Sequence, residues 1–183
     1  GKIEITLRYG VLEKYDIITR SAVIRNLGQE SVILEKAASL CLDIPHFEWE
    51  LIHFHGRHAL ERLSQRSLLI NGIQEIASTR GTSSHQHNPS FILCSPDCTE
   101  NSGECIGSFF VYSGSFQAQA ERDELGQIRA VMGIHPELFS WNLKPGDIFE
   151  TPEAVLTYSK NGFSKLSYNF HKVIREHICR GKY

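Results

Sequence analysis

Apolar and polar residues alternate with a period of two along most of this chain, and the alternation predicts one strand after another. Ile3, Ile5, Leu7 and Tyr9 share one face of a first strand. Residues 16–26 read as a second, broken at Asn26-Leu27-Gly28, and residues 31–42 as a long third, ended by Asp43-Ile44-Pro45. Phe47, Trp49, Leu51, His53 and His55 fall on one face of a fourth. Residues 69–78 read as a strand interrupted at Asn71-Gly72, and residues 90–94 and 106–112 are short, apolar and β-rich. Residues 116–122 and 127–134 flank Asp123-Glu124-Leu125-Gly126, a hairpin loop. Residues 139–143 and 154–158 complete the series, with Lys144-Pro145-Gly146-Asp147 between them. Short strands separated by turn residues predict a mostly β fold, an antiparallel β-sandwich. No strand–helix–strand alternation is present, which excludes a Rossmann or barrel fold within this segment.

The last stretch changes period. Phe163, Leu166, Phe170, Val173, Ile174 and His177 or Ile178 recur every three to four residues, the apolar stripe of a C-terminal α-helix. Lys172, Arg175 and Arg180 sit near its end, where the helix dipole favours cations. The pattern divides the chain into a sandwich over residues 1–158 and a helical segment over 159–183. The helix either packs on the sandwich or connects it to a following domain.

With 183 residues, 41% hydrophobic and 22% charged, the chain has the make-up of an ordinary globular domain. A formal charge of -2 gives no electrostatic reason to expect nucleic acid or an anionic membrane as partner. No apolar run approaches the ~20 residues that span a bilayer. The chain opens inside a strand pattern without an initiator Met, Gly1 having the look of a tag remnant, and it is read here as a piece of something longer. Of its five cysteines, Cys94, Cys98 and Cys105 lie close together while Cys41 and Cys179 are isolated. The paired short spacings of a zinc site are absent. A Cys94–Cys98 or Cys98–Cys105 disulfide competes with free thiols in a reducing cytoplasm, and the free thiols are the expectation.

Two polar clusters stand out of the apolar pattern: Arg80-Gly81-Thr82-Ser83-Ser84-His85-Gln86-His87-Asn88-Pro89, and the run from His53 through Arg57, His58 and Glu61 to Arg62. Such a density of ring nitrogens and guanidinium groups suits a polar, hydroxyl-rich or anionic partner. His53 and His55 alternate onto one side of a strand, as in a cupin-like metal site with Glu61 and His85 or His87 as further ligands. Phe47 stands where the cupin pattern wants glycine, and Arg57 and Arg62 would place positive charge beside a cation, so no metal and no cofactor is expected. Ser83, Ser84, Cys94 and Cys98 offer nucleophiles, but no GxSxG elbow and no P-loop is present. Carbohydrate binding draws on Trp49, Trp141 and Tyr112 as platforms and on Asn88, Gln86 and Arg57 as planar hydrogen-bonding groups. The two tryptophans lie in strand patterns and read first as core.

The order of these motifs resembles the N-terminal domain of glycoside hydrolase family 36 α-galactosidases. The segment from Gly81 to Pro89 carries the resemblance most closely. It is joined, in the same order, by Tyr15-Asp16-Ile17-Ile18-Thr19-Arg20-Ser21, Glu50-Leu51-Ile52-His53-Phe54-His55-Gly56-Arg57, Val111-Tyr112-Ser113-Gly114-Ser115-Phe116, Phe139-Ser140-Trp141-Asn142-Leu143-Lys144-Pro145-Gly146 and Phe149-Glu150-Thr151-Pro152-Glu153-Ala154-Val155. The helix from Phe170 to His177 resembles the family's passage into its catalytic barrel.

The resemblance implies a supersandwich-type domain placed before a (β/α)8 barrel. It implies retaining hydrolysis of terminal α-linked galactose from melibiose- or raffinose-type sugars, with α-N-acetylgalactosaminides left open as substrate. It also implies a cytoplasmic enzyme and a tetramer in which one subunit's sandwich borders another's active site. Both catalytic Asp residues belong to the barrel, so no catalytic residue is expected in this chain. Arg57, His58, His85, His87 and Asn88 are the expected substrate-proximal or interface residues. Many relatives carry Trp where this chain has His58, a smaller and titratable platform. The first strands of the family's sandwich are missing from this stretch, which implies an edge open to pairing. A stand-alone carbohydrate-binding module and a cupin-like metal-binding sandwich are the alternatives.

Overall fold

The computed structural model describes residues 2–45, 48–83, 85–137, 139–179 and 181. The strands are β1 (Ile3–Leu12), β2 (Ile17–Asn26), β3 (Val32–Leu34), β4 (Ala38–Ile44), β5 (Glu50–Arg57), β6 (Leu60–Leu68), β7 (Gly72–Ser78), β8 (His87–Cys94), β9 (Cys105–Phe110), β10 (Phe116–Arg122), β11 (Ile128–Ile134), β12 (Trp141–Leu143), β13 (Ile148–Glu150) and β14 (Ala154–Ser159). Helix α1 (Gly162–Val173) follows and runs into a π-helical turn, Ile174–Ile178. An eight-stranded sheet in the order β1-β2-β14-β9-β8-β5-β6, with β13 also on β2, faces a four-stranded sheet in the order β4-β11-β10-β7, and β12 pairs with β3 separately. The pairings between strands are antiparallel, as the alternation predicts.

The core between the sheets is built from the inward residues of both. Leu51, Phe91, Leu93 and Phe110 meet Phe116, Ala118, Ile128, Ala130 and Met132, each no more than 3% exposed. The outer face of the large sheet is covered by α1. Leu166 and Val173 are buried, Phe163, Phe170 and Ile174 are half-buried, and the predicted stripe is therefore the packed one. His177 and Ile178, beyond that face, are exposed. Gly107 lets the helix approach, because a Cβ there would stand 2.7 Å from the Phe170 ring and 3.0 Å from a Leu166 methyl. A second fastening lies at the far end of the helix, where the Tyr15 hydroxyl donates to the Glu176 carboxylate and Lys14 Nζ pairs with the same group at 3.1 Å.

Several predicted boundaries are corrected. The long third strand is two: β3 and β4 belong to different sheets, and the chain switches layers over residues 35–37. β4 also runs through Asp43 to Ile44 rather than ending before them. β6 was not predicted. It is an edge strand, with almost every residue exposed, so no apolar alternation marks it. β13 was likewise missed, and Leu69 to Asn71 lie outside β7. β8 starts earlier than expected and takes His87 to Pro89 into the sheet. Phe47 and Arg180 lie outside the described residues.

The first strand alternates as predicted, yet its apolar side is not core. Ile5, Tyr9 and Val11 are 62%, 61% and 72% exposed. The register explains this: Ile5 stands opposite Ile24 and Leu7 opposite Ala22, on the side that β4 covers only as far as β2. Arg20 closes the rim of that cover, donating to Ser39 O at 3.1 Å and to the Tyr9 hydroxyl at 3.0 Å. The large sheet thus extends past the small one by a strand.

Candidate functional site

The polar clusters meet at one end of the large sheet, where β5 and β6 form a hairpin and β8 begins. Gly56 is required there by contact: a Cβ would stand 2.3 Å from Leu60 O and 2.9 Å from Glu61 Cα. The tip places Ala59 (φ 65°) and Arg62 (φ 58°) in the left-handed region. Glu61 Oε1 accepts the Ala59 N–H at 2.8 Å, and this bond, with one from its own N–H and the nearby His85, holds its carboxyl below the usual range. Glu61 is therefore committed to the turn rather than to a cation.

The second cluster is fastened to residues 112–115 by two backbone N–H groups and one hydroxyl. The Gly81 N–H donates to Ser115 Oγ at 2.8 Å, the Ser83 N–H to Ser113 O at 2.8 Å, and the Ser83 hydroxyl to Tyr112 O at 3.2 Å. A serine hydroxyl donating to a carbonyl is a loop tie, not a nucleophile held for attack. Ser84, another expected nucleophile, lies outside the described residues. Gly56 N–H donates to Gln86 O at 3.3 Å, which joins the two clusters.

The five expected site residues come to this one end. Arg57 closes β5, His58 opens the hairpin tip, His85 sits in the turn before β8, and His87 and Asn88 are the first residues of β8. Arg57, His58, His85 and His87 are exposed, and Asn88 is half-buried. They do not share one side. His87 pairs with His55 across the strands, and His53 and His55 lie 5.8 Å apart between ring centroids on the side facing the second sheet. Asn88 points by strand alternation to the opposite side, where Ser90 Oγ donates to its Oδ1 at 2.8 Å. There it lines a groove of about 500 Å³ between α1 and the sheet, walled by Phe54, Phe109, Phe163 and Phe170. Arg62, also on the groove, lies over the Phe54 ring at 5.3 Å.

Residues outside the expected set contribute. His53 Nδ1 is buried without a hydrogen-bond partner, and burial first, then the neighbouring His55 and His87, push its pKa below the ordinary histidine value. Its proton is therefore taken up more readily by the unfolded chain than by the folded one. Stability contributed this way is present above about pH 6.5 and is lost as pH falls through the histidine range. Unfolding by urea at pH 7.5 and 5.5 is expected to show a lower midpoint at the acid end, and His53→Asn is expected to reduce that difference. An unchanged pH slope in the variant would show that His53 does not carry the effect.

Among the described residues no group of three or more His, Cys, Asp or Glu is placed to hold a metal ion. Of the expected sugar platforms, Trp49 is 5% exposed and belongs to the core, as expected. Trp141, read as core, is instead 47% exposed on β12, 5.2 Å from the Phe149 ring. All five cysteines are free thiols. No described helix is long and apolar enough to cross a membrane.

Fold and rim define an antiparallel β-sandwich domain that presents loops at one end and a helix on its back. Residues 1–144 match the glycosyl hydrolase family 36 N-terminal domain, and the chain belongs to that family. It is 47% identical over 183 residues to the bifunctional alpha-galactosidase/sucrose kinase AgaSK of Mediterraneibacter gnavus, covering 100% of this chain and 20% of that protein. To the alpha-galactosidase AgaA of Geobacillus stearothermophilus it is 42% identical over 181 residues, covering 99% of this chain and 25% of that protein. The solved galactosidase domain of AgaSK superposes with a TM-score of 0.97 over 99% of this chain and 25% of that one. A structure of AgaA in complex with raffinose superposes with a TM-score of 0.96, at 42% identity, over 98% of this chain and 25% of that one. The chain thus spans a fifth to a quarter of the length of these relatives. The cupin-like and stand-alone readings give way to this membership.

Proposed function

We propose that this chain is the N-terminal, non-catalytic sandwich of an α-galactosidase that removes terminal α-linked galactose from oligosaccharides of the melibiose and raffinose type. The relatives' names, and the raffinose and stachyose bound in AgaA structures, support the substrate class. Retaining hydrolysis needs two carboxyl groups about 5–5.5 Å apart, and in this reading both stand on the barrel that follows residues 159–183. Residues 1–158 then act as scaffold, in a cytoplasmic homo-oligomer, a tetramer, whose sandwich rims border a neighbour's sugar entrance.

The observation that carries the reading is the gathering of Arg57, His58, His85 and His87 as exposed side chains at one end of the sandwich. Planar guanidinium and imidazole groups match the vicinal hydroxyls of a sugar. The 183-residue chain alone is expected to release no product from an aryl α-galactoside, while the full-length enzyme does. In the full-length enzyme, alanine at Arg57, His58 or His87 is expected to raise KM for raffinose or to shift the subunit assembly, with kcat for a small aryl galactoside preserved. Unchanged kinetics and unchanged assembly in all three variants would remove the rim from function; turnover by the isolated chain would remove the scaffold reading.

A further inference from the structure

Three thiols meet at the turn between β8 and β9. Cys94 and Cys105 face each other as the last cross-strand pair, both fully buried, and Cys98 lies in the connecting loop, 2% exposed and packed into the same cluster with Ile52 and Leu166. The three thiols share that one buried cluster, and the Cys98 thiol donates to Thr99 O at 3.8 Å.

The loop that carries Cys98 has two fixed ends. On one side the Arg66 guanidinium binds the carbonyls of Ser95, Pro96 and Cys98 at 3.1, 2.8 and 2.8 Å. On the other, the loop's carbonyls accept the first N–H groups of α1: Gly162 to Gly103, Phe163 to Thr99 and Ser164 to Glu100, at 3.1, 3.0 and 2.9 Å. These are groups that a helix cannot satisfy internally. The state of the loop is therefore the state of the helix's first turn.

We propose that Cys98 and Cys105 are a reversible disulfide site, closed by exchange with a low-molecular-weight disulfide of the glutathione type. The two sulfurs differ in ways that assign their parts. Burial pushes the Cys94 and Cys105 thiols up to about 12. Burial raises Cys98 as well, with Asp97 and Glu100 adding to it and the Cys105 thiol and the Arg66 charge opposing it, so what sets Cys98 apart is its place on the loop rather than its acidity. Cys98, on the loop, is thus the attacking group once the loop opens. Its thiolate breaks the S–S bond of the small disulfide and forms a mixed disulfide, and the displaced thiolate leaves with the proton that Cys98 gave up. Cys105 then loses its proton, attacks the Cys98 sulfur and releases the second small thiol. Two protein thiols are oxidised and one small disulfide is reduced to two thiols. Cys94 remains a thiol. The bridge ties the loop covalently to β9, so the helix start is held independently of the Arg66 contacts.

The test uses the 183-residue chain carrying C41S and C179S, which removes the two exposed thiols and leaves the cluster. After incubation with oxidised glutathione and alkylation under denaturing conditions, free thiols are expected to fall from three to one. Peptide mapping is expected to join Cys98 to Cys105, and a reductant to restore all three thiols. Amide exchange at residues 162–164 is expected to slow in the oxidised form. Adding C98S is expected to leave both remaining thiols free. Three thiols persisting, glutathione retained on the protein as the end product, or a bridge joining Cys94 to Cys105 would each overturn the proposal.

Discussion

Replacing Gly162 by valine is expected to lower the stability of this chain by about 3–5 kcal/mol. Three costs add. Gly162 holds φ +72°, which an L residue adopts at a cost of roughly 1–2 kcal/mol. A Cβ would stand 2.3 Å from Thr99 O and 2.7 Å from both Glu100 C and Ser102 N, all backbone, so the loop itself must retreat. That retreat breaks the three hydrogen bonds that satisfy the start of α1, each contributing roughly 0.5–1.5 kcal/mol. Gly146 is the control. It has φ +84° but nothing within 4 Å of a built Cβ, so Gly146→Ala is expected to show the dihedral cost alone. The check is the urea midpoint of both variants at constant m value. Similar shifts at the two positions would mean that the loop contact with the helix contributes little.

The second large effect is expected at Asn26. Its side chain is fully buried and satisfies three backbone groups: Nδ2 donates to Glu30 O at 2.7 Å and to Leu143 O at 2.9 Å, and Oδ1 accepts the Gly28 N–H at 2.9 Å. Its own backbone also binds Asp147 and Gly146. Asn26 therefore ties the end of β2 to the turns before β3 and β13. Asn26→Ala leaves the buried Leu143 carbonyl without this donor and opens a polar cavity, and a loss of about 2–4 kcal/mol is expected. Asn26→Asp is expected to cost at least as much at pH 7, because a carboxylate then faces the two carbonyl oxygens that Nδ2 had satisfied. A calorimetric comparison of the two variants decides it. An aspartate variant as stable as the parent would show that the amide donors are dispensable.

Asn26 also shows what a linear reading misses. In the chain it marks a turn beside Leu27-Gly28; only folding shows that it is buried and bridges segments more than a hundred residues apart. The same holds for Cys94 and Cys105, whose encounter follows from the β8–β9 register. What was legible was local. Alternation marked most of the strands, and the three-to-four spacing from Phe163 to Ile174 marked the buried face of α1. β6 escaped because both of its faces meet solvent, and the division of β3 from β4 escaped because Glu35-Lys36-Ala37 changes sheets without a Gly or Pro to mark it. At the rim, alternation placed His53 and His55 on one side. It could not bring His87 to them, since a register shift between His53 and His55 sets that pairing.

The unequal width of the two sheets has a colloidal consequence. Beyond β4 the water-facing strip of Ile3, Ile5, Leu7, Tyr9 and Val11 belongs to a strand that, among the described residues, has no strand paired on its outer edge. Stickiness and directionality coincide there, and the contact they favour is ribbon-to-ribbon addition, which adhesion elsewhere on the surface does not restrict to two molecules. Solutions of this chain are therefore expected to cloud first at high protein concentration and in structure-making salts such as sulfate, which sharpen the penalty for wetted hydrocarbon.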